Sequence, residues 1–173
     1  MTFAVWLTGL SGSGKSTITR ELLAQLRRRG IDAAVLESDV LRTQLTPFPR
    51  YDEAERDFFY AALADLGAFC VSRGVAALID ATANRRAYRD AARRRIALFA
   101  EAYVDTPLEV CAARDPKGLY RAAREGRAAT LPGAQADYEP PRAPELVLHG
   151  DREPPAQAAA RVVAFLEEKR WIA

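Results

Sequence analysis

The residues from Gly9 to Thr17 combine glycines, a lysine and hydroxyl side chains in an order suited to binding phosphate. They fit the pattern G-x-x-x-x-G-K-[ST], in which the backbone N–H groups of a glycine-rich loop surround a phosphate group. The expected nucleotide-binding residues are Gly9, Ser11, Gly12, Ser13, Gly14, Lys15, Ser16 and Thr17. Lys15 would reach the β- and γ-phosphates, and the Ser16 hydroxyl would ligate Mg²⁺. The segment therefore predicts ATP and Mg²⁺ as cofactors.

Two aspartates follow apolar segments that have the character of buried strands. Asp39 comes two residues after Ala33–Glu37, and Asp80 ends the run that begins at Val75. Each could hold metal-bound water or accept a proton from a substrate hydroxyl, although a helix cap is the alternative role for both. Asp39 joins Ser16 as a candidate metal ligand, and the residues leave open which aspartate is the base. Phosphoryl transfer also needs positive charge near the phosphates, and Arg42 and Arg56 could clamp an anionic acceptor.

The elements that must position these residues alternate between strands and helices. Apolar runs predict strands at Phe3–Thr8, Ala33–Glu37, Val75–Asp80, Phe99–Asp105 and Glu145–Leu148. Helical spacing of apolar residues predicts helices at Lys15–Arg29, Asp52–Arg73, Arg86–Leu98 and Pro155–Lys169. This order predicts an α/β fold of the P-loop NTPase type, with a doubly wound five-stranded parallel sheet and helices on both faces. Between Thr106 and Pro144 the pattern changes, and a structureless insertion at about 114–140 is expected to act as a lid.

Composition narrows the class of protein. A chain of 173 residues with 28% charged residues is expected to form one domain, residues 1–173. The net charge of +2 and the scattered arginines argue against a nucleic-acid partner, and no apolar run reaches the length of a membrane span. Two cysteines far apart in sequence, with no targeting segment, favour a cytoplasmic protein that acts on a small molecule.

Several segments resemble the adenylylsulfate kinase family. The resemblance rests on Gly9–Thr17, Glu37–Arg42 and above all Tyr103–Tyr120, and it continues through Tyr138–Pro140. It covers most of the chain and is weak from Tyr60 to Leu98. The family transfers the γ-phosphate of ATP to the 3′-hydroxyl of adenosine 5′-phosphosulfate. The resemblance also implies a homodimer.

The resemblance implies roles for individual residues. Asp39 matches the family's catalytic aspartate, and Lys117 matches a lid lysine. With Lys15 of the phosphate loop and Asp80 at its strand end, they form the expected catalytic set. Arg42 and Arg56 match acceptor-binding arginines, and Tyr51 stands where an aromatic ring stacks on the acceptor's adenine. In the lid, Arg114 would lie against the ATP adenine and Lys117 would neutralise charge near the transferred phosphoryl group.

The departures from the family cluster on the acceptor side. Phe59 replaces an acceptor-contacting asparagine, Leu131 replaces a second stacking aromatic, and Ala129 replaces a lid lysine. We therefore expect weak binding of adenylylsulfate, with Leu131 among the substrate-binding residues. Arg85 and Arg86, at the turn after Asp80, are the candidates to compensate, and Arg86 is included in the expected substrate site. A kinase for a different small hydroxyl compound, such as another nucleotide, a sugar or an antibiotic, is the alternative, and a nucleotide-binding module without transfer activity is a third possibility.

Overall fold

A computed structural model describes residues 1–127 and 130–173 of the chain. The strands are β1 (Ala4–Thr8), β2 (Ala33–Glu37), β3 (Ala76–Asp80), β4 (Phe99–Val104) and β5 (Leu146–Leu148). The helices are α1 (Lys15–Arg28), α2 (Ser38–Leu45), α3 (Glu53–Ser72), α4 (Arg86–Arg95), α5 (Leu108–Arg114), α6 (Leu119–Arg124) and α7 (Pro155–Glu168).

All five strands form one parallel sheet in the order β2-β3-β1-β4-β5. The chain moves outwards from the central strand β1 to β2 on one side, and later crosses from β3 to β4 on the other. The predicted doubly wound sheet is confirmed. In such sheets ligands bind at the carboxyl ends of the strands, where the winding direction changes, and the segment after β1 lies at this position.

Alternate side chains of β1 divide the core between the two faces of the sheet. Val5 and Leu7 pack with Leu22 of α1 and with Val162 of α7 in one cluster. On the opposite face, Trp6 and its neighbours pack against the apolar sides of α3 and α4. Because β1 is buried on both faces, its sequence is continuously apolar, as expected for a parallel sheet. The strand is thus a rigid support for the loop that follows it.

The structure differs from the sequence-based prediction in three helices. Helix α2 was not predicted, because none of its eight residues is buried and the segment is too short for a repeat of apolar residues to be recognised. The insertion is also not structureless, since it contains α6. The Asp115 carboxylate accepts the N–H groups of Tyr120 and Arg121 at 3.0 and 2.9 Å and so caps this short helix. Helix α4 ends three residues before the predicted Leu98, since the backbone at Ile96 is extended.

A third, small cluster lies between the insertion and the loop after β1. Tyr120 and Leu131 are buried there against Cys111, with Leu10 packed alongside. This cluster connects the insertion to the phosphate-loop region by side-chain packing. No helix in the described part of the chain is long and apolar enough to span a membrane.

Candidate active site

The loop between β1 and α1 has a backbone that depends on glycine. Gly9 has φ of 150°, and a Cβ atom there would lie 2.5 Å from the Val104 carbonyl oxygen. Gly14 has φ of 107° and immediately precedes α1. Side chains at these positions would be strained or would clash, so the sequence can form this loop only with glycine there.

The carbonyl groups of this loop are held by side chains. Lys15 Nζ donates to the Gly9 and Leu10 carbonyls at 2.9 and 2.8 Å. Tyr120 Oη donates to the Ser11 carbonyl at 2.8 Å, and Thr106 Oγ1 donates to the Ser13 carbonyl at 2.9 Å. Arg114 Nη1 donates to the Gly12 carbonyl at 3.4 Å. A carbonyl oxygen repels an anion. Because these carbonyl groups accept hydrogen bonds from side chains, the N–H groups of the loop remain free to face a phosphate. The loop is therefore held in a conformation suited to an anion before any ligand binds.

Lys15 occupies a desolvated position within this loop. It is only 8% exposed. Burial lowers the pKa of Lys15 below its ordinary value, and the nearby negative charge of Asp80 opposes that shift. A buried ammonium group without a carboxylate bonded to it is ready to bind an incoming anion.

A cavity of about 1140 Å³ opens beside the loop and contains most of the predicted site. The predicted residues that line it are Ser11, Gly12, Gly14, Lys15, Ser16, Thr17, Asp39, Arg42, Tyr51, Arg56, Asp80, Arg114, Lys117 and Leu131. Gly9 and Ser13 belong to the loop but do not line the cavity; Ser13 is fully buried. The structure thus brings together residues from five separate parts of the chain.

The two predicted carboxylates occupy different places in the cavity. Asp80 ends β3 and is 3% exposed. Asp39 lies in the first turn of α2, where the helix dipole favours a negative charge, and its side chain is half exposed. The Lys117 ammonium donates a hydrogen bond to the Asp39 carboxylate. This ion pair joins the insertion to α2 across the mouth of the cavity.

The cationic side of the cavity is formed by α2 and α3. The Arg42 guanidinium lies over the Phe59 ring at 4.0 Å and donates to the Glu55 carboxylate at 3.3 Å. Arg56 donates to the carbonyl oxygen of Thr130 and so contacts the end of the insertion. Arginine and tyrosine side chains here could hold a planar, anionic compound opposite the phosphate loop.

Arg86 lies outside this cavity, contrary to the role expected from the sequence. Its backbone N–H donates to the Glu139 carboxylate at 2.9 Å, and its Nη1 donates to the Pro140 carbonyl at 3.0 Å. The side chain lines a separate, smaller hollow. Leu131, by contrast, lines the main cavity while its side chain packs in the cluster beneath the insertion. Ala129, where the family has a lysine, lies outside the described residues.

Some residues of the site were missed by reasoning from the sequence. Glu55 is buried at the start of α3, Arg127 lines the cavity, and Thr106 and Tyr120 hold loop carbonyls. Thr106 and Tyr120 lie within the segment of strongest resemblance, which was a usable signal. No such signal marks Glu55 and Arg127 in the sequence, because a charged residue in a helix or loop is ordinarily solvated.

The donor set is suited to Mg²⁺, although it does not form a complete protein site. The Ser16 hydroxyl and the Asp39 carboxylate, the two candidate metal ligands, both line the cavity, and so does the Asp80 carboxylate. Oxygen atoms of this kind are the ligands that Mg²⁺ prefers. Among residues 1–127 and 130–173 no group of three or more histidine, cysteine, aspartate or glutamate side chains could hold a metal ion. Magnesium at phosphoryl-transfer sites takes most of its ligands from phosphates and water.

A phosphate loop at the carboxyl edge of a doubly wound sheet, with carboxylates and arginines facing it across one cavity, defines a P-loop kinase. A family model described as adenylylsulphate kinase matches residues 1–149. The chain belongs to the adenylylsulphate kinase family, and it is a phosphotransferase that acts on a hydroxyl group.

Individual relatives are similar over nearly their whole length. The adenylyl-sulfate kinase of Halothermothrix orenii is 38% identical over 97% of this chain and 91% of its own. The corresponding protein of Microcystis aeruginosa is 39% identical, over 97% and 93%. The structure of the Mycobacterium tuberculosis APS kinase CysC in complex with AMPPNP and APS has a TM-score of 0.90 and 35% identity, over 96% of this chain and 98% of that one.

Proposed function

We propose that this protein transfers the γ-phosphate of ATP to the 3′-hydroxyl of adenosine 5′-phosphosulfate. The observation that carries the proposal is the single cavity in which Lys15 and the phosphate loop face Asp39 and Arg42. Such an arrangement brings a phosphate donor and an anionic acceptor into one space, and most of the catalytic power in phosphoryl transfer comes from this positioning.

On the donor side, the loop N–H groups and Lys15 bind the ATP phosphates. Lys15 exchanges its two carbonyl partners in the loop for phosphate oxygens, which offer a full negative charge. Arg114, held by the Gly150 carbonyl at 2.9 Å, lies against the base of ATP. Ser16 and Asp80 would hold Mg²⁺ directly or through water. When bound, Mg²⁺ neutralises charge on the β- and γ-phosphates.

The transfer step needs one base and one mobile cation. Asp39 takes the proton of the acceptor hydroxyl, whose oxygen then bonds to the γ-phosphorus while the bond from that phosphorus to the bridging oxygen of ADP breaks. Lys117 leaves the Asp39 carboxylate and neutralises the phosphoryl group as it moves. The proton ends on Asp39 and is released to water after the product leaves.

The acceptor side supports binding that is weaker than a full set of family residues would give. Tyr51, Arg42 and Arg56 remain for the adenine and the phosphosulfate, but Leu131 removes an aromatic contact and Phe59, which is fully buried, offers no hydrogen bond. An aromatic pair contributes about 0.5–1.5 kcal/mol, and a hydrogen bond to a charged group contributes about 1.5–3 kcal/mol. We therefore expect the KM for adenylylsulfate to be one to three orders of magnitude higher than in a kinase with the full set of family residues.

A coupled assay of ADP formation tests the proposal. Adenylylsulfate at up to millimolar concentration is compared with other nucleotides, sugars and amino alcohols, each with ATP and Mg²⁺. We expect stimulation by adenylylsulfate above the background ATPase rate. Stimulation by a different hydroxyl compound, with none from adenylylsulfate, would replace this acceptor with that compound. ADP formation that no acceptor stimulates would favour a nucleotide-binding module.

Two further proposals concern the cellular location and the oligomeric state of the protein. The reaction consumes ATP, so we place the protein in the cytoplasm. We also propose a homodimer, which is supported by exposed aromatic side chains on and near α3: Phe48 is 90% exposed, Phe58 59% and Phe69 58%. Sedimentation equilibrium distinguishes a dimer from a monomer of 19.0 kDa.

A further inference from the structure

The position of Arg42 in the cavity is fixed by aromatic rings on α3 and in the preceding loop. Its guanidinium carbon lies 4.0 Å from the centre of the Phe59 ring, and 5.3 and 5.7 Å from those of Tyr51 and Tyr60. The Arg42 side chain is 14% exposed, and the Phe59 ring is fully buried. A cation placed over the face of a ring is attracted by the ring's quadrupole, most strongly when water is excluded.

Glu55 fixes the same guanidinium from another direction. One carboxylate oxygen of Glu55 accepts from Arg42 Nη1 at 3.3 Å, and the Glu55 side chain is 8% exposed. An arginine has five N–H donors, so this bond leaves others for a substrate anion. Phe59 below the guanidinium and Glu55 at its edge together hold Arg42 in one orientation.

The second Glu55 oxygen holds the loop that carries Tyr51. It accepts the backbone N–H groups of Arg50 and Tyr51 at 2.5 and 3.3 Å. Tyr51 has φ of 57°, a left-handed conformation that residues other than glycine seldom adopt. Strained backbone of this kind persists where surrounding contacts determine it. Glu55 thus connects Tyr51 and Arg42, the two side chains expected to hold the acceptor's base and its anionic group.

We propose that Glu55 and Phe59 are positioning residues for the acceptor: they act through Arg42 and Tyr51 and do not touch the substrate. Phe59 does not line the cavity, and Arg42, which it supports, does. Phe59 stands where the family has a substrate-contacting asparagine. Its ring therefore contributes to acceptor binding indirectly, by holding the Arg42 guanidinium in place before the acceptor binds. Preorganisation of this kind lowers the entropic cost of binding.

The inference rests on the proposed function, since it assumes that the acceptor binds beside Arg42. Its test measures KM for adenylylsulfate and for ATP separately in Phe59→Leu and Glu55→Gln. We expect the KM for adenylylsulfate to rise about 3- to 30-fold, with the KM for ATP changing less than twofold. Glu53→Gln is the matched control for Glu55→Gln, because the Glu53 side chain is exposed on the same helix, and it should behave as wild type.

A double variant separates positioning from a general effect on stability. If Phe59 acts only through Arg42, removing its ring should cost little once the guanidinium is gone, so the losses in Arg42→Met and Phe59→Leu should not add. Additive losses, or a folded Phe59→Leu protein with an unchanged KM for adenylylsulfate, would overturn the inference. If Phe59→Leu does not fold, Glu55→Gln decides by the same measurement. Absence of acceptor-stimulated turnover in the wild-type protein would instead refute the proposed function.

Discussion

The buried charge of Lys15 favours phosphate binding but costs folding free energy. Its charge is buried and its pKa is lowered by desolvation, so the charge costs folding free energy until a phosphate compensates it. We predict that Lys15→Ala lowers kcat/KM by two or more orders of magnitude, about 3 kcal/mol of transition-state stabilisation.

The same variant should change the Tm of the ligand-free protein little, since removing a desolvated charge stabilises the fold while losing the two hydrogen bonds to Gly9 and Leu10 destabilises it. Calorimetry and the ADP assay check both parts on one preparation. A folded variant with turnover near that of wild type would remove Lys15 from the phosphate site.

Asp39 and Asp80 differ in environment, and we predict different effects of removing their charges. Asp39→Asn should abolish transfer while the affinity for ATP changes only a few-fold, because the amide keeps the shape but cannot take a proton. Asp80→Asn should mainly raise the Mg²⁺ concentration needed for activity. Titrations of rate against Mg²⁺ measure the difference. A larger loss of kcat in Asp80→Asn at saturating Mg²⁺ would reverse the two roles.

The sequence located most side chains of the site but not the contacts between them. Lys15, Asp39 and Arg42 could be identified because their residue types and spacing are tied to the phosphate loop and to strand ends. Arg86 lies elsewhere because Glu139 and Pro140 hold it. That contact joins residues more than 50 positions apart, and no local pattern predicts it.

At the scale of elements, the sequence predicted those with large buried faces. The strands and helices α1, α3, α4 and α7 carry apolar residues at spacings that core packing requires. Helices α2 and α6 are eight and six residues long and bury little, so α6 depends on its Asp115 cap and α2 on the elements that it contacts, β2 and α3. Short helices of this kind leave no periodic signal in the sequence.

The insertion is the element for which we predict a change on ligand binding. Hydrogen exchange in Arg114–Leu131 should slow when an ATP analogue binds, because Arg114 and Lys117 gain phosphate or base contacts. Within this segment the amide of Tyr120 should change least, since its N–H already donates to Asp115 and its ring is already buried in the ligand-free protein. Equal exchange of the segment with and without the analogue would exclude a lid.

At the scale of the whole molecule, the two halves of the cavity belong to different parts of the fold. The phosphate loop rests on β1 and on the core shared with α1 and α7. The acceptor side is formed by α2 and α3, on the opposite face of the sheet. The phosphate loop keeps the family's motif, and the departures at Phe59 and Leu131 belong to the proposed acceptor side, so variants can test the two substrate sites separately.

The ion pair between Lys117 and Asp39 crosses the cavity and predicts coupling between its two sides. In the ligand-free protein Lys117 pairs with Asp39, and both residues line the cavity. We expect a bound nucleotide to attract Lys117 to its phosphates and so to free the Asp39 carboxylate for the acceptor hydroxyl. We predict that adenylylsulfate binds about 5- to 50-fold more tightly in the presence of AMPPNP and Mg²⁺.

Calorimetric titration of adenylylsulfate with and without AMPPNP measures this coupling. Linkage requires AMPPNP to gain the same factor from adenylylsulfate, which gives an internal check. In Lys117→Ala the coupling should shrink, because Asp39 is then unpaired whether or not nucleotide is present. Lys169→Ala, which removes an ammonium group from the end of α7, serves as the control and should leave the coupling intact. Equal affinities for adenylylsulfate in the two wild-type titrations would mean that Lys117 does not link the sites.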